Sequence, residues 1–109
     1  MTYHVRVTPS AKEDIRKIAQ YISKNDSPGK SRYVVGEIRK KIQTLNQFPE
    51  RGGRPVELLL MNDDRDYREI LFGPYRIFYQ IRDKTVFVVA VADGRRDMIA
   101  FLLERFGEK

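Results

Sequence analysis

The apolar positions of this chain change period twice, and each change marks an element. Alternation in "YHVRV" predicts a short first strand, Tyr3 to Val7, because successive strand side chains point to opposite faces. Thr8-Pro9-Ser10 then signals a helix start: proline suits the first helical turn, and "SAKE" sets Ser10 and Glu13 at capping-box spacing. Behind them Ala11, Ile15, Ile18, Ala19 and Ile22 recur at three- and four-residue steps, the stripe of an amphipathic helix. Ser27-Pro28 restarts a second helix by the same device. Its stripe is Val34 or Val35, Ile38, Ile42 and Leu45, and it finishes near "FPERGG". The short connection predicts an antiparallel helical hairpin. Gly36, inside the second helix, costs about 1 kcal/mol relative to alanine. Its missing side chain is expected to let the first helix approach closely.

Period two returns after the loop "PERGGRP". "VELLLMNDDRD" fits a short strand, a helical turn or an irregular excursion. "DYREILF", "PYRIFYQI" and "TVFVVAVA" read as three strands, with Gly73-Pro74 and Asp83-Lys84 as tight hairpin turns. Val86 to Ala92 is apolar on both faces, as in a central strand covered on each side. Met98, Ile99, Phe101, Leu102 and Phe106 predict a final helix. The order is β-α-α-β-β-β-α, with no repeat, linker or low-complexity segment. It predicts a single α+β domain over residues 1–109: a curved, antiparallel-dominated sheet with a helical hairpin packed on one face.

Composition narrows the chemistry. The 109 residues suffice for one modest core, and no apolar run is long enough to span a bilayer. The start "MTYHVRV" lacks a signal-peptide core, so a cytoplasmic location is expected. The absence of cysteine excludes disulfides, thiolate metal sites and cysteine nucleophiles. No carboxylate spacing among Asp63, Asp64, Asp66 and Asp93 matches a calcium or magnesium loop, and no cofactor or metal is expected. "RGGRP" is no phosphate loop, since it lacks the lysine-hydroxyl pair. A net charge of +6 and a pI near 9.7 favour polyanionic partners over a membrane.

The alternation assigns faces. Tyr75, Ile77, Tyr79 and Ile81 form the apolar set that meets the hairpin, so Arg76 and Gln80 are expected on an open or lightly covered face. Arg68 from the neighbouring strand can join them, and Arg95 and Arg96 lie just past the last strand. Several guanidinium groups are therefore expected in one concavity, with solvent or an anion between them. His4 reads as an ordinary edge-strand residue.

"YREILFGPYRIFYQIRDKTVFVVAVADGRRD" resembles the toxins of the RelE/ParE superfamily, the small partners of bacterial toxin–antitoxin pairs. Tyr-Arg-Ile-x-Tyr in a strand, a Val-rich strand and Gly-Arg-Arg-Asp carry the resemblance, with "TPSAKEDIRKIAQYI" similar to the family's first helix. The resemblance implies an antitoxin that wraps a segment over the toxin, acidic residues on the basic face and apolar ones beside the helical hairpin. RelE-like members cut messenger RNA on the ribosome, and ParE-like members poison DNA gyrase. If the chain is a ribonuclease, the resemblance implies phosphate stabilisation by Arg76, Arg96 and Arg68. Arg95, Arg82, Lys84 and Tyr67 are the candidates for binding a nucleic acid or target. A second basic residue expected beside Arg68 is replaced by Glu69 or Ile70, and Phe101 or Leu102 stands where a catalytic tyrosine would be wanted. The phosphate-gripping half of a nuclease is legible; the acid–base half is not. The tail "DGRRDMIAFLLERF" resembles the ParE-like branch, although Asp93 stands where those relatives often carry histidine. The expected function is a toxin of a plasmid-stabilising addiction module that inhibits gyrase. A ribosome-dependent endoribonuclease and a non-toxic basic interaction module are the alternatives, and a toxin–antitoxin hetero-oligomer is the expected assembly.

Overall fold

Thr8 and Ser27 each precede a proline, and each caps a helix. In the computed structural model, which describes residues 2–107, Thr8 Oγ1 accepts from Ala11 N at 3.2 Å and Ser27 Oγ from Lys30 N at 3.0 Å. Helix α1 spans Pro9–Asn25 and helix α2 Pro28–Gln43. The expected capping box at Ser10 and Glu13 is therefore corrected by one turn's start. Pro9 fills the first helical position, so the cap falls on Thr8, and Glu13 pairs with Arg16 instead. Ser31 Oγ donates to Ala19 O at 2.7 Å and staples the two helices together.

Four strands form one sheet in the order β1-β4-β3-β2: β1 His4–Val7, β2 Tyr67–Phe72, β3 Tyr75–Arg82 and β4 Thr85–Asp93. β1 runs parallel to β4, and the other pairs are antiparallel. Both expected hairpin turns are present, flanked by Phe72↔Tyr75 and Arg82↔Thr85. Each takes a positive φ at its first turn residue, +55° at Gly73 and +54° at Asp83, as two-residue turns demand. Val89 is an extra residue in β4, because Phe78 faces Ala90 while Tyr79 faces Val88.

The ambiguous stretch resolves into helix α3, Val56–Leu60, and the chain closes with α4, Met98–Phe106, capped by Asp97. These two helices correct the expectation of an open sheet face. Ile77, Tyr79, Val86 and Val88 pack with Ile15, Ile38 and Leu45 of the hairpin side. On the reverse, Phe78, Ala90 and Ala92 pack under Leu58, Met98, Phe101 and Leu102. The sheet is covered on both faces, as the two-sided apolar character of β4 required. The expected bounds of 1–109 include residues 1, 108 and 109, which lie outside the described residues. Among the described residues no helix is long and apolar enough to cross a membrane.

Gly36 does not serve close helix approach: a Cβ built on it meets nothing within 4 Å. Its missing side chain instead leaves a shallow groove at the outer seam of the hairpin. Gly36→Ala should therefore stabilise the protein by about 1 kcal/mol through helix propensity alone. Urea unfolding would show this as a higher midpoint at unchanged m-value, and a lower midpoint would show a steric role for the glycine.

Candidate functional site

The alternation of β3 turns Arg76 away from the hairpin, as expected, but into a carboxylate clasp. Its Nη1 and Nη2 donate to the two Glu57 oxygens at 2.8 and 2.7 Å, and its Nε donates to Glu69 Oε1 at 2.6 Å. Glu57 comes from α3, and Glu69 from β2, where it faces Phe78. The side chains of all three are less than one-fifth exposed. The Arg76 hydrogen bonds hold the Glu57 carboxyl below its usual range, and the Glu57 pair pushes the guanidinium above its own. One cation meeting two anions leaves nothing for an incoming phosphate to neutralise.

Arg68, Arg82 and Lys84 do not gather there, and the Arg76 stem instead packs against Gly94, beside Arg95 and Arg96. Arg68 faces Tyr79 in the sheet register and so lies on the hairpin side, opposite to Arg76. Its Nη1 donates to the Glu50 and Gly52 carbonyls at 2.9 and 3.2 Å, fixing the loop after α2. Tyr79 fixes the same loop, donating to Pro49 O and accepting from Gly52 N. Arg95 is paired with Asp93 at 2.6 Å, and Arg96 lies over the Phe101 ring at 4.5 Å to the centroid. Arg82 and Lys84 stand at the Asp83 turn, the opposite end of β3 from Gly73, about 25 Å away by strand rise. Tyr67 is buried and stacks on Phe106 at 4.6 Å. The single concavity of guanidinium groups is thus corrected. The covering layer places a carboxylate on Arg76, and the strand period puts Arg68 on the wrong face.

Among the described residues no imidazole or phenol partners Arg76, and the two carboxylates beside it are its own ion-pair partners. Tyr75 and Tyr79 are in the core, where burial raises both phenols above their ordinary pKa. His4 is exposed on edge strand β1. Among the described residues no group of three or more His, Asp or Glu could hold a metal ion.

What the fold does build is a groove of about 830 Å³ between the end of α1, the start of α2 and the Gly73-Pro74 end of the sheet. Tyr21 and Tyr33 stand beside it, 69% and 58% exposed, and Ile18, Phe72 and Pro74 supply apolar wall. Lys17, Lys30, Arg95 and Arg96 stand around it together with Asp26 and Asp93, the last paired with Arg95, so its cations outnumber the carboxylates at the rim. Asp14 closes the floor, accepting from Val91 N at 3.0 Å and from Arg105 at 2.6 Å. An apolar trough with a cationic rim suits an amphipathic acidic segment rather than bond-breaking chemistry. Sequence reasoning passed over Tyr21 and Tyr33; the available signal was their position off the buried stripes of their helices.

Residues 5–98 match a family described as the ParE toxin of the type II toxin–antitoxin system parDE. No curated protein sequence matches significantly. Among solved structures, a chain of the chromosomal ParDE toxin–antitoxin system from P. aeruginosa is similar with a TM-score of 0.71 at 18% identity, covering 84% of this chain and 96% of that one. A chain of the RelBE2 toxin–antitoxin complex from Mycobacterium tuberculosis follows at TM-score 0.59 and 23% identity, covering 85% and 99%. A mutant E. coli RelE toxin in the free state gives 0.62 at 18% identity, covering 97% and 99%. These likenesses show the fold.

The clasp has a stability consequence. Because the Glu57 pKa is lowered on folding, its contribution is complete above the unfolded carboxylate range and fades as pH falls through the folded value. Glu57→Gln should unfold more easily than the wild type by about 1–3 kcal/mol at neutral pH. The gap should narrow below about pH 4. Chemical unfolding at several pH values checks this, and a gap that widens on acidification would refute the clasp.

Proposed function

The chain belongs to the family of ParE toxins of type II toxin–antitoxin systems, and from that premise we propose that it acts without cleaving RNA, by inhibiting DNA gyrase. The observation that carries this reading is the occupied Arg76. Cleavage through a 2′-hydroxyl needs a free cation at the phosphate and groups to move two protons, and losing either proton-transfer group costs on the order of 10²–10⁴ in rate. Here the strand arginine that RelE-like chemistry would use is neutralised by Glu57 and Glu69, and no imidazole or phenol accompanies it. Family membership and the resemblance of the "DGRRDMIAFLLERF" tail support the same branch.

The similar ParDE and RelBE2 chains come from toxin–antitoxin systems, which supports an antitoxin as the partner that silences this chain. In this reading the antitoxin lays an amphipathic segment into the groove beside the hairpin. Its carboxylates meet Lys17, Lys30 and Arg96, and its apolar side chains meet Tyr21 and Phe72.

A paired assay tests the target. Purified protein should block negative supercoiling by purified gyrase, while message on purified ribosomes should stay intact over the same concentrations. Message cut by the wild type and spared by Arg76→Gln, with supercoiling unaffected, would reverse the assignment.

A further inference from the structure

The charges of the chain divide unevenly. Of 21 Lys and Arg and 15 Asp and Glu, α1 and α2 hold nine and three, leaving twelve of each elsewhere. The whole net charge of +6 therefore resides on the helical hairpin, and the sheet with its second helical layer is balanced. All nine hairpin cations are exposed. Within the described residues only Arg16 and Lys40 have a carboxylate partner, Glu13 at 2.5 Å and Glu37 at 3.2 Å. Elsewhere four arginines are spent in ion pairs: Arg65 on Asp63, Arg76 on Glu57 and Glu69, Arg95 on Asp93 and Arg105 on Asp14.

The outer seam of the hairpin adds shape to this charge. Ala19, Ser31, Val35 and Gly36 line a groove of about 350 Å³, and Arg32 and Arg39 flank it two turns apart. Seven residues of helix separate those two guanidinium stems by about 10 Å along the axis. Gly36 keeps the space between them empty of side chain. Lys12, two turns before Ala19 on the same side of α1, extends the basic surface along helices that are each about 25 Å long.

We propose that this outer face of the hairpin binds the phosphate backbone of duplex DNA, without reading its sequence. A protein partner needs apolar anchors at its centre. The exposed apolar side chains lie elsewhere: Tyr21 and Tyr33 at the other groove, and Leu59, Leu60, Leu71 and Leu103 outside the hairpin. A single strand needs aromatic platforms for its bases, and the seam groove has none. Double-stranded RNA is recognised largely through the 2′-hydroxyls of its wide minor groove, and the seam offers cations with its one hydroxyl, Ser31, already donating to Ala19 O. Regularly spaced cations on two straight rods suit the accessible backbone of B-form DNA, with affinity driven by counterion release. The inference goes beyond the target reading above. It concerns the isolated protein and DNA, so it stands or falls with no gyrase present.

The test is fluorescence anisotropy of a labelled 20-base-pair duplex of mixed sequence, titrated with the full chain at several salt concentrations. Binding should weaken steeply with salt. Arg32→Gln/Arg39→Gln should bind at least about tenfold more weakly and flatten the log–log salt slope by about two units. Arg6→Gln/Arg51→Gln removes the same charge from exposed positions outside the hairpin and should bind within about twofold of the wild type. Circular dichroism confirms that both variants are folded, as their exposed positions favour. Equal losses in the two double variants would reduce the effect to net charge and overturn the proposal. So would the absence of duplex binding, or tighter binding to a single-stranded RNA 20-mer or to polyglutamate than to the duplex.

Discussion

A sheet that is apolar on both faces must be covered on both, and this constraint organises the molecule. β4 buries Val86, Val88 and Val91 toward the hairpin and Ala90 and Ala92 toward the opposite side. Phe78 on β3 is fully buried on that second side, and leaving it in water would cost about 2–3 kcal/mol. The covering is done by α3 and α4, and the alanines of β4 give Met98, Phe101 and Leu102 room to lie close. Once this roof is in place, Arg76 cannot remain an open cation. A guanidinium largely removed from water must be hydrogen-bonded to anions, and the roof and the neighbouring strand each supply one.

The same logic sorts the remaining charges. Those near the second layer are drawn into local pairs because they sit where water is scarce. Asp63 is 3% exposed and receives Arg65, which also donates to the Phe106 carbonyl and so ties the end of α4 down. The hairpin faces solvent along its entire outer side, so its lysines and arginines need no partner. Burial, rather than any placement of basic residues by itself, therefore decides which part of a basic chain presents its charge. The arginine of the Tyr-Arg-Ile-x-Tyr strand lies on the neutralised side, and the residues carrying the net charge lie on the two helices of the hairpin.

Legibility followed sequence separation. The hairpin turns at Gly73-Pro74 and Asp83-Lys84, the stripes of α1 and α2, the α+β class and the edge position of β1 with His4 were readable, because local period and turn chemistry determine them. The cap at Thr8 was missed by two residues, since both Thr8 and Ser10 offer a hydroxyl beside Pro9. The site was not readable. Glu57 lies 19 residues from Arg76, on a helix of five residues whose own pattern is ambiguous. Arg105 lies 91 residues from Asp14. The doubly apolar character of β4 did announce a second covering layer, and an open face beside it was inconsistent with that character.

The floor of the candidate groove shows how one short strand shapes a surface. β1 is four residues long, and its last rung is followed by Thr8 N donating to Val88 O before the chain turns into α1. β4 continues five residues further to Asp93, so this length has no strand on its β1 side. A bare strand edge invites further pairing and leaves backbone groups without partners. Here side chains seal it: Asp14 takes the Val91 N–H, and Arg105 donates to Val89 O at 3.0 Å while pairing with Asp14. The seal joins α1, β4 and α4 through one carboxylate. It also explains why the groove between Tyr21 and Phe72 has an apolar wall yet a quiet floor. A segment entering there meets side chains rather than an open ladder, so its recognition rests on the aromatic walls and the cationic rim.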